Sequence, residues 1–357
     1  LIGALLVIAL FASSAAATPL RTAALGNYAP EYGPTLGGGY VYWSEVRRDA
    51  TYFFQRRLAD NQKRVVLRAK RASSEAIFAS GDKVAFEVSW TARRGSHEHS
   101  PIFAEAVYAM SSQDGAPTLV KSAKLKVKHA KKKSDVYDFC GRGLELRGLS
   151  SSGQVVIDDT QFKCSGLKNT VRSFVYSLTG APPIRVPSLV GADVTSLDFG
   201  KLIFSNGNSI IARDLATGVS TRYPGYESPD QVTMDAEGRL LTVTTEVNPH
   251  PKQKYDAWRT RINVYPPGST KPSATIYRHW FDSSTVIFCG DGFAEFTAPR
   301  KGPMLLTFRS FDGTVVNRLK GPPTDQEYDG RCVGRHLTLA TSSHSGFGTP
   351  KISEYDF

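Results

Sequence analysis

Hydrophobic positions in this chain come in short runs, many alternating with polar ones, and the three- and four-residue spacing of an amphipathic helix is nearly absent. Leu202-Ile203-Phe204, Ser209-Ile210-Ile211-Ala212 and Leu240-Leu241-Thr242-Val243 are typical, set between clusters of Gly, Pro, Asp and Asn. Such runs predict short strands separated by turns. Many short, evenly punctuated strands predict a sandwich, a barrel or a propeller.

A repeated phrase chooses among these. A glycine, a variable residue and then alternating apolar residues occur at Gly39-Tyr40-Val41-Tyr42-Trp43, Gly81-Asp82-Lys83-Val84-Ala85-Phe86 and Gly143-Leu144-Glu145-Leu146. The phrase returns at Gly200-Lys201-Leu202-Ile203-Phe204, Gly238-Arg239-Leu240-Leu241, Gly292-Phe293-Ala294-Glu295-Phe296 and Gly334-Arg335-His336-Leu337. These seven starts span 295 residues over six intervals, about 49 each, the length of a four-stranded propeller blade. The phrases are expected to open the innermost strand of each sheet. Tight-turn signals fall between them at Asp60-Asn61, Asp114-Gly115, Thr179-Gly180, Thr217-Gly218, Pro267-Gly268 and Asp312-Gly313. Residues that tolerate positive φ suit a hairpin late in each sheet.

The expectation is therefore an all-β chain forming a seven-bladed β-propeller of four-stranded antiparallel blades, with six or eight blades as the near alternatives. The last repeat, from Gly334 to Phe357, is only half a blade long. Thr22 to Pro34 is expected to supply its missing strand, because closing the ring removes an exposed edge. An open array with a frayed N-terminal tail is the competing arrangement. The corresponding divisions are a leader at 1–17, an N-terminal segment at 18–35 and the propeller at 36–357.

Through the Asp214-Leu215-Ala216-Thr217-Gly218 hairpin and the seven glycine phrases, over residues 36–357, the chain resembles the broad class of bacterial propellers with TolB-like, WD-repeat-like and quinoprotein-like repeats. The Trp-Asp pair of true WD repeats is absent, and Trp43, Trp90, Trp258 and Trp280 do not recur in register. The Asp114 and Asp312 turns lack the S-x-D-x-G-x-T spacing of sialidases. The resemblance implies a fold and brings no catalytic residue with it.

Composition narrows the setting. A hydrophobic fraction of 41% and an aromatic fraction of 11% exclude wholesale disorder. A net charge of +11 favours contact with anionic partners. Leu1 to Ala17 is almost purely apolar and ends in Ser13-Ser14-Ala15-Ala16-Ala17, the arrangement that precedes a signal-peptidase cut, expected after Ala17. A membrane anchor or a buried strand is the alternative for this run, which is at the short limit for spanning a bilayer. Export turns four cysteines into two disulfides. Cys289 and Cys332 stand at nearly equivalent entries of neighbouring blades and are expected to pair, and Cys140 and Cys164 lie in one repeat. Four free thiols in a cytosolic protein would be the opposite reading. No C-x-x-C spacing occurs, so neither a metal nor a cofactor is expected.

The strongest local feature is Lys121 to Lys133. On a strand Lys124, Lys126 and Lys128 share one face, and Lys131, Lys132 and Lys133 carry the charge into a loop beside His129. The plainer account is an outer edge strand guarded by lysines against edge-to-edge pairing. The functional account is a stripe that holds a polyanion such as a cell-wall phosphate polymer, an acidic glycan or lipid headgroups. Nucleic acid is not expected, because export separates the two and no reader motif is present. His97-Glu98-His99 lacks a third metal ligand and reads as a solvated loop. His250 and His279, with Glu246 and Asp256, are candidates for a channel mouth, where loop or structural roles are the plainer account. Tyr40, Tyr42, Trp43, Phe53 and Phe54 are expected to pack between blades. No G-x-S-x-G elbow or phosphate-binding loop is present.

The reading that follows is an exported, monomeric, non-catalytic binding or scaffold propeller of the cell envelope or extracellular space. Its partner is an unidentified protein or an anionic polymer, and the mature chain has no transmembrane domain. The competing reading is an extracellular hydrolase or lyase acting on a polymer at the central channel.

Overall fold

A computed structural model describes residues 21–24, 32–91, 102–111, 114–128, 138–162, 169–192, 195–206, 209–224, 229–248, 250, 258–279, 284–297, 304–321, 326–343 and 351–357. The leader expected at 1–17 lies outside them. The described residues form 28 strands and no helix.

The first strand, β1 (Arg21–Ala24), belongs to the last blade. Blade 1 is β2 (Tyr32–Gly37), β3 (Tyr40–Arg47), β4 (Ala50–Arg57) and β5 (Lys63–Lys70). Blade 2 is β6 (Ala72–Ser80), β7 (Lys83–Thr91), β8 (Ile102–Met110) and β9 (Thr118–Lys128). Blade 3 is β10 (Asp138–Leu149), β11 (Gln154–Phe162), β12 (Thr170–Ser177) and β13 (Ile184–Val186). Blade 4 is β14 (Thr195–Asp198), β15 (Lys201–Asn206), β16 (Ser209–Asp214) and β17 (Ser220–Pro224). Blade 5 is β18 (Gln231–Met234), β19 (Leu240–Val247), β20 (Trp258–Tyr265) and β21 (Ala274–His279). Blade 6 is β22 (Ser284–Cys289), β23 (Gly292–Thr297), β24 (Leu305–Ser310) and β25 (Val315–Lys320). Blade 7 is β26 (Gln326–Val333), β27 (His336–Ser343) and β28 (Lys351–Asp356), with β1 as its outer strand.

All pairings are antiparallel, and the first strand of each blade adjoins the first strand of the next, from β2 and β6 round to β26 and β2. The chain is a seven-bladed β-propeller. Arg21 to Ala24 pair with Glu354 to Lys351, so the fourth strand of the last blade comes from the start of the described chain. Blades 2 and 3 are one continuous eight-stranded sheet, because β9 runs alongside the first residues of β10, Lys126 opposite Cys140 and Lys128 opposite Asp138.

The glycine phrases do not open the innermost strand. Six of the seven begin the second strand, where the glycine closes the tight turn from the first; Gly39 has φ +81° and Gly238 φ +84°, a region open mainly to glycine. The phrase at Gly143 lies inside β10 instead. A Cβ there would stand 2.8 Å from the Phe162 ring, so this glycine serves a close approach, and Gly153 takes the turn in blade 3. The six hairpin signals all fall between the third and fourth strands.

The core is a set of layers between neighbouring blades. Tyr40, Tyr42 and Phe53 of blade 1 pack with Ile77, Val84 and Phe86 of blade 2, while Trp43 and Phe54 face Ala340 and Ile352 of blade 7. Opposite faces of one sheet thus serve two different seams, as strand alternation requires. Cys289 and Cys332 form a disulfide between β22 and β26, with Cα atoms 5.0 Å apart. Cys140 is disulfide-bonded as well, and Cys164 lies outside the described residues.

Candidate functional site

The first strand of a blade has one unpaired edge facing the axis, and its polar groups need partners. Side chains from neighbouring blades supply several. Gln231 of β18 accepts the N–H of Val286 (2.9 Å) and donates to its carbonyl (2.8 Å), joining blade 5 to blade 6. Asp329 of β26 accepts the Leu36 N–H at 2.8 Å, joining the last blade to the first, and burial pushes its carboxyl up to about 6. Asp198 of β14 accepts the Met234 N–H of blade 5, and burial raises it too.

A cavity of about 350 Å³ opens among β18, β22 and β26. Met234, Ile287 and Phe288 give it an apolar wall; Thr233, Thr285 and Asp329 give it polar points. Phe199 stands at its edge with φ +46°, an uncommon conformation for an aromatic residue, and is 54% exposed. Both carboxylates of the cavity are engaged. Asp329 holds Leu36, and Asp235 accepts the Arg239 N–H (2.8 Å) and Nε–H (2.5 Å), closing the turn into β19.

Acidic side chains recur on the second strands. Glu45 meets the Trp43 indole N–H (2.7 Å), Arg47 and Lys63; Glu246 meets Arg259 and Arg261; Glu295 meets Arg278 and Arg309. Glu87 differs. It reaches across to blade 3 and accepts the Leu146 N–H at 2.7 Å, while Glu105 of β8 accepts the Leu144 N–H. Among the described residues no cation pairs with Glu87. Burial, with Glu105, Glu75 and Glu145 close by, pushes its carboxyl up to about 8 and raises Glu105 as well.

The basic charge is concentrated on blades 1 and 2. Residues 47–71 contain nine Lys or Arg and two acidic residues, Asp49 and Asp60. The outer strands β5 and β9 carry eight Lys or Arg and no acidic residue. On the blade 1 face towards blade 7, Lys63 Nζ lies 3.9 Å from the Phe54 ring centre and 4.8 Å from that of Trp43, and Arg47 lies 4.8 Å from Phe54. Cation–aromatic stacking fixes these heads at the surface.

Of the lysines singled out in the sequence, Lys124 is exposed between the buried Ala123 and Leu125. Lys126 and Lys128 hold the next alternate positions of β9, and their side chains lie outside the described residues, as do Lys131, Lys132 and Lys133. β9 is an open edge only in its first half, since the second half pairs with β10. His97, His99 and Asp256 lie outside the described residues. Glu246 is held on the second strand of blade 5 by two arginines, and His250 is an exposed residue whose N–H meets Asn248. Among the described residues no three of His, Cys, Asp and Glu group to hold a metal ion. Sequence reading missed the basic surface of blade 1, whose signal is a density of Lys and Arg broken by aromatic residues, and it missed the buried glutamates.

No protein-family model matches the chain, and no curated protein matches it in sequence. Solved structures match it in fold. A chain of the mitotic checkpoint complex superposes with a TM-score of 0.54 at 11% identity, covering 95% of this chain and 92% of that one. The β-propeller domain of the trilobed protease from Pyrococcus furiosus gives 0.50 at 13% identity, covering 91% and 96%. The polysaccharide lyase Uly1 gives 0.51 at 11% identity, covering 93% and 91%.

Proposed function

We propose that this protein is an exported, non-catalytic binding propeller of the cell envelope or extracellular space, allied to the TolB-like and WD-repeat-like bacterial propellers. The observation that carries the reading is the engagement of both carboxylates at the axial cavity: Asp329 holds Leu36 and Asp235 holds Arg239. General acid–base chemistry needs a group within reach of substrate and free to exchange a proton with it. Here those groups join blades and close turns. The disulfide between blades 6 and 7 supports an oxidising compartment. The likeness to a polysaccharide lyase is one of fold, which hosts scaffolds and enzymes alike.

The test is to incubate the purified protein with size-fractionated envelope polymers and peptides, following retention and products by mass spectrometry. Retention of material recovered intact is expected. Release of cleaved or unsaturated products with turnover would replace this reading with the enzymatic one.

A further inference from the structure

Five of the seven turns between first and second strands have two residues: 38–39, 81–82, 199–200, 290–291 and 334–335. In four of them the first is a glycine with positive φ: Gly38 (+56°), Gly81 (+57°), Gly290 (+54°) and Gly334 (+59°). A two-residue hairpin loop that follows the strand twist needs that conformation at its first position, and glycine adopts it freely. Blade 4 has Phe199 there, at φ +46°, followed by Gly200 at +75°. A large side chain is strained in this region, and such strain persists mainly at sites that use it. The ring gains no burial in return. It stands exposed at the edge of the axial cavity.

The cavity draws its lining from four successive blades, 4 to 7. Its volume of about 350 Å³ is at the small end for a ligand pocket, room for one ring or a short branched chain and too little for a polymer. The disulfide between Cys289 and Cys332 ties β22 to β26, two of its walls, so its shape is set before anything binds. Met234, Ile287 and Phe288 supply apolar surface. Of the charges in the lining, Asp235 is paired with Arg239, and Asp329 is taken up by the N–H groups of Leu36 and Gly330 and by the Thr35 hydroxyl. Arg331 is different. It is half-buried, gives one N–H to the Gly81 carbonyl at 3.4 Å, and forms no ion pair among the described residues. A guanidinium with donors to spare, beside apolar walls and an exposed ring, suits a ligand that carries a carboxylate on an aromatic body.

We infer that the axial cavity binds an aromatic carboxylate, as a free acid or as the C-terminal residue of a peptide, with Arg331 on the carboxylate and Phe199 on the ring. This rests on the protein being a binding propeller and names the class of its ligand.

The test titrates the whole protein with phenylacetate and with a short peptide ending in phenylalanine, each beside its neutral amide, and follows binding by NMR. At least one of the two acids is expected to bind, about ten-fold more tightly than its amide, and the tighter acid identifies the source. Arg331→Gln should weaken the acid about ten-fold and leave the amide unchanged. Phe199→Gly should weaken acid and amide alike, about five-fold, without lowering the unfolding midpoint, because glycine suits the turn. Arg185→Gln, the same loss of charge at an exposed position of β13, should change binding less than about two-fold. Amides bound as tightly as acids, or equal losses from Arg331→Gln and Arg185→Gln, would overturn the inference. So would a Phe199→Gly protein that is less stable and binds unchanged. Binding of neither acid would remove this ligand class and leave a binding propeller, whose retention of envelope material is measured separately. A peptide bound at the cavity but recovered cleaved would remove the non-catalytic reading and leave the site.

Discussion

Two seams, one between blades 2 and 3 and one between blades 5 and 6, each bury a glutamate of a second strand, and the two glutamates titrate in opposite directions. Glu295 sits fully buried between Arg278 of blade 5, at 2.5 Å, and Arg309 of its own blade, at 2.7 Å. Burial pushes its carboxyl upward, but the two arginines outweigh this and hold it below the usual range. Glu87 is 5% exposed and crosses its seam to a backbone N–H alone, with other carboxylates around it. One N–H dipole offsets less of the desolvation cost than two guanidinium groups. The same residue type in the same structural role is thus an anion in one seam and a proton carrier in the other.

Removing the anion is expected to have the largest effect. Glu295→Ala leaves Arg309, buried, without its partner, and should cost about 4 kcal/mol in denaturant unfolding. A loss under about 1 kcal/mol would mean that water replaces the carboxylate and that the seam is not dry.

The second test reads the difference as pH dependence. Glu87 has a folded value of about 8 against an ordinary 4.5, so the folded state binds the extra proton. That stability is complete below about 4.5 and is lost as pH rises to 8, on the order of 4 kcal/mol. Glu87→Gln keeps an acceptor for Leu146 and cannot ionise, so its unfolding midpoint should fall less than the parent's as pH rises to 8, the remaining fall coming from the raised carboxyls of Asp329, Glu105 and Asp198. Glu295 behaves the other way: its folded value is depressed, so its contribution is present above 4.5 and lost on acidification. Glu295→Gln should flatten only the acid side. Parallel profiles for the parent and Glu87→Gln would show that Glu87 stays charged.

These contrasts were only partly legible in the sequence. The hairpin turns were, because positive φ is a local demand: Asn61, Gly180, Gly218, Gly268 and Gly313 all meet it where the third strand turns into the fourth. The glycine phrases gave the right number of blades and the wrong strand. Alternation looks alike in all strands of a blade, and glycine marks the turn away from the axis. The seam partners were not legible, since Leu146 is 59 residues from Glu87 and only the packing of blade 3 against blade 2 brings them together. The basic surface of blade 1 was hidden for another reason. Its cations are spaced by the aromatic residues they stack on, whereas Lys131-Lys132-Lys133 form an unbroken run.

The smallest expected effect probes the neutral link in the seam that also holds Glu295. Gln231 bonds both the N–H and the carbonyl of Val286, imitating a strand where no strand pairs. Gln231→Ala leaves both groups facing the axial cavity, whose threonines and volume allow water to enter. Water replaces part of each bond, so the loss should be about 1–2 kcal/mol, below that of Glu295→Ala. The local readout is more telling than the global one: exchange of the Val286 amide should speed up while that of Leu146, in the other seam, is unchanged. If both amides speed up together, the ring opens as one unit, and the two seams differ in charge without differing in independence.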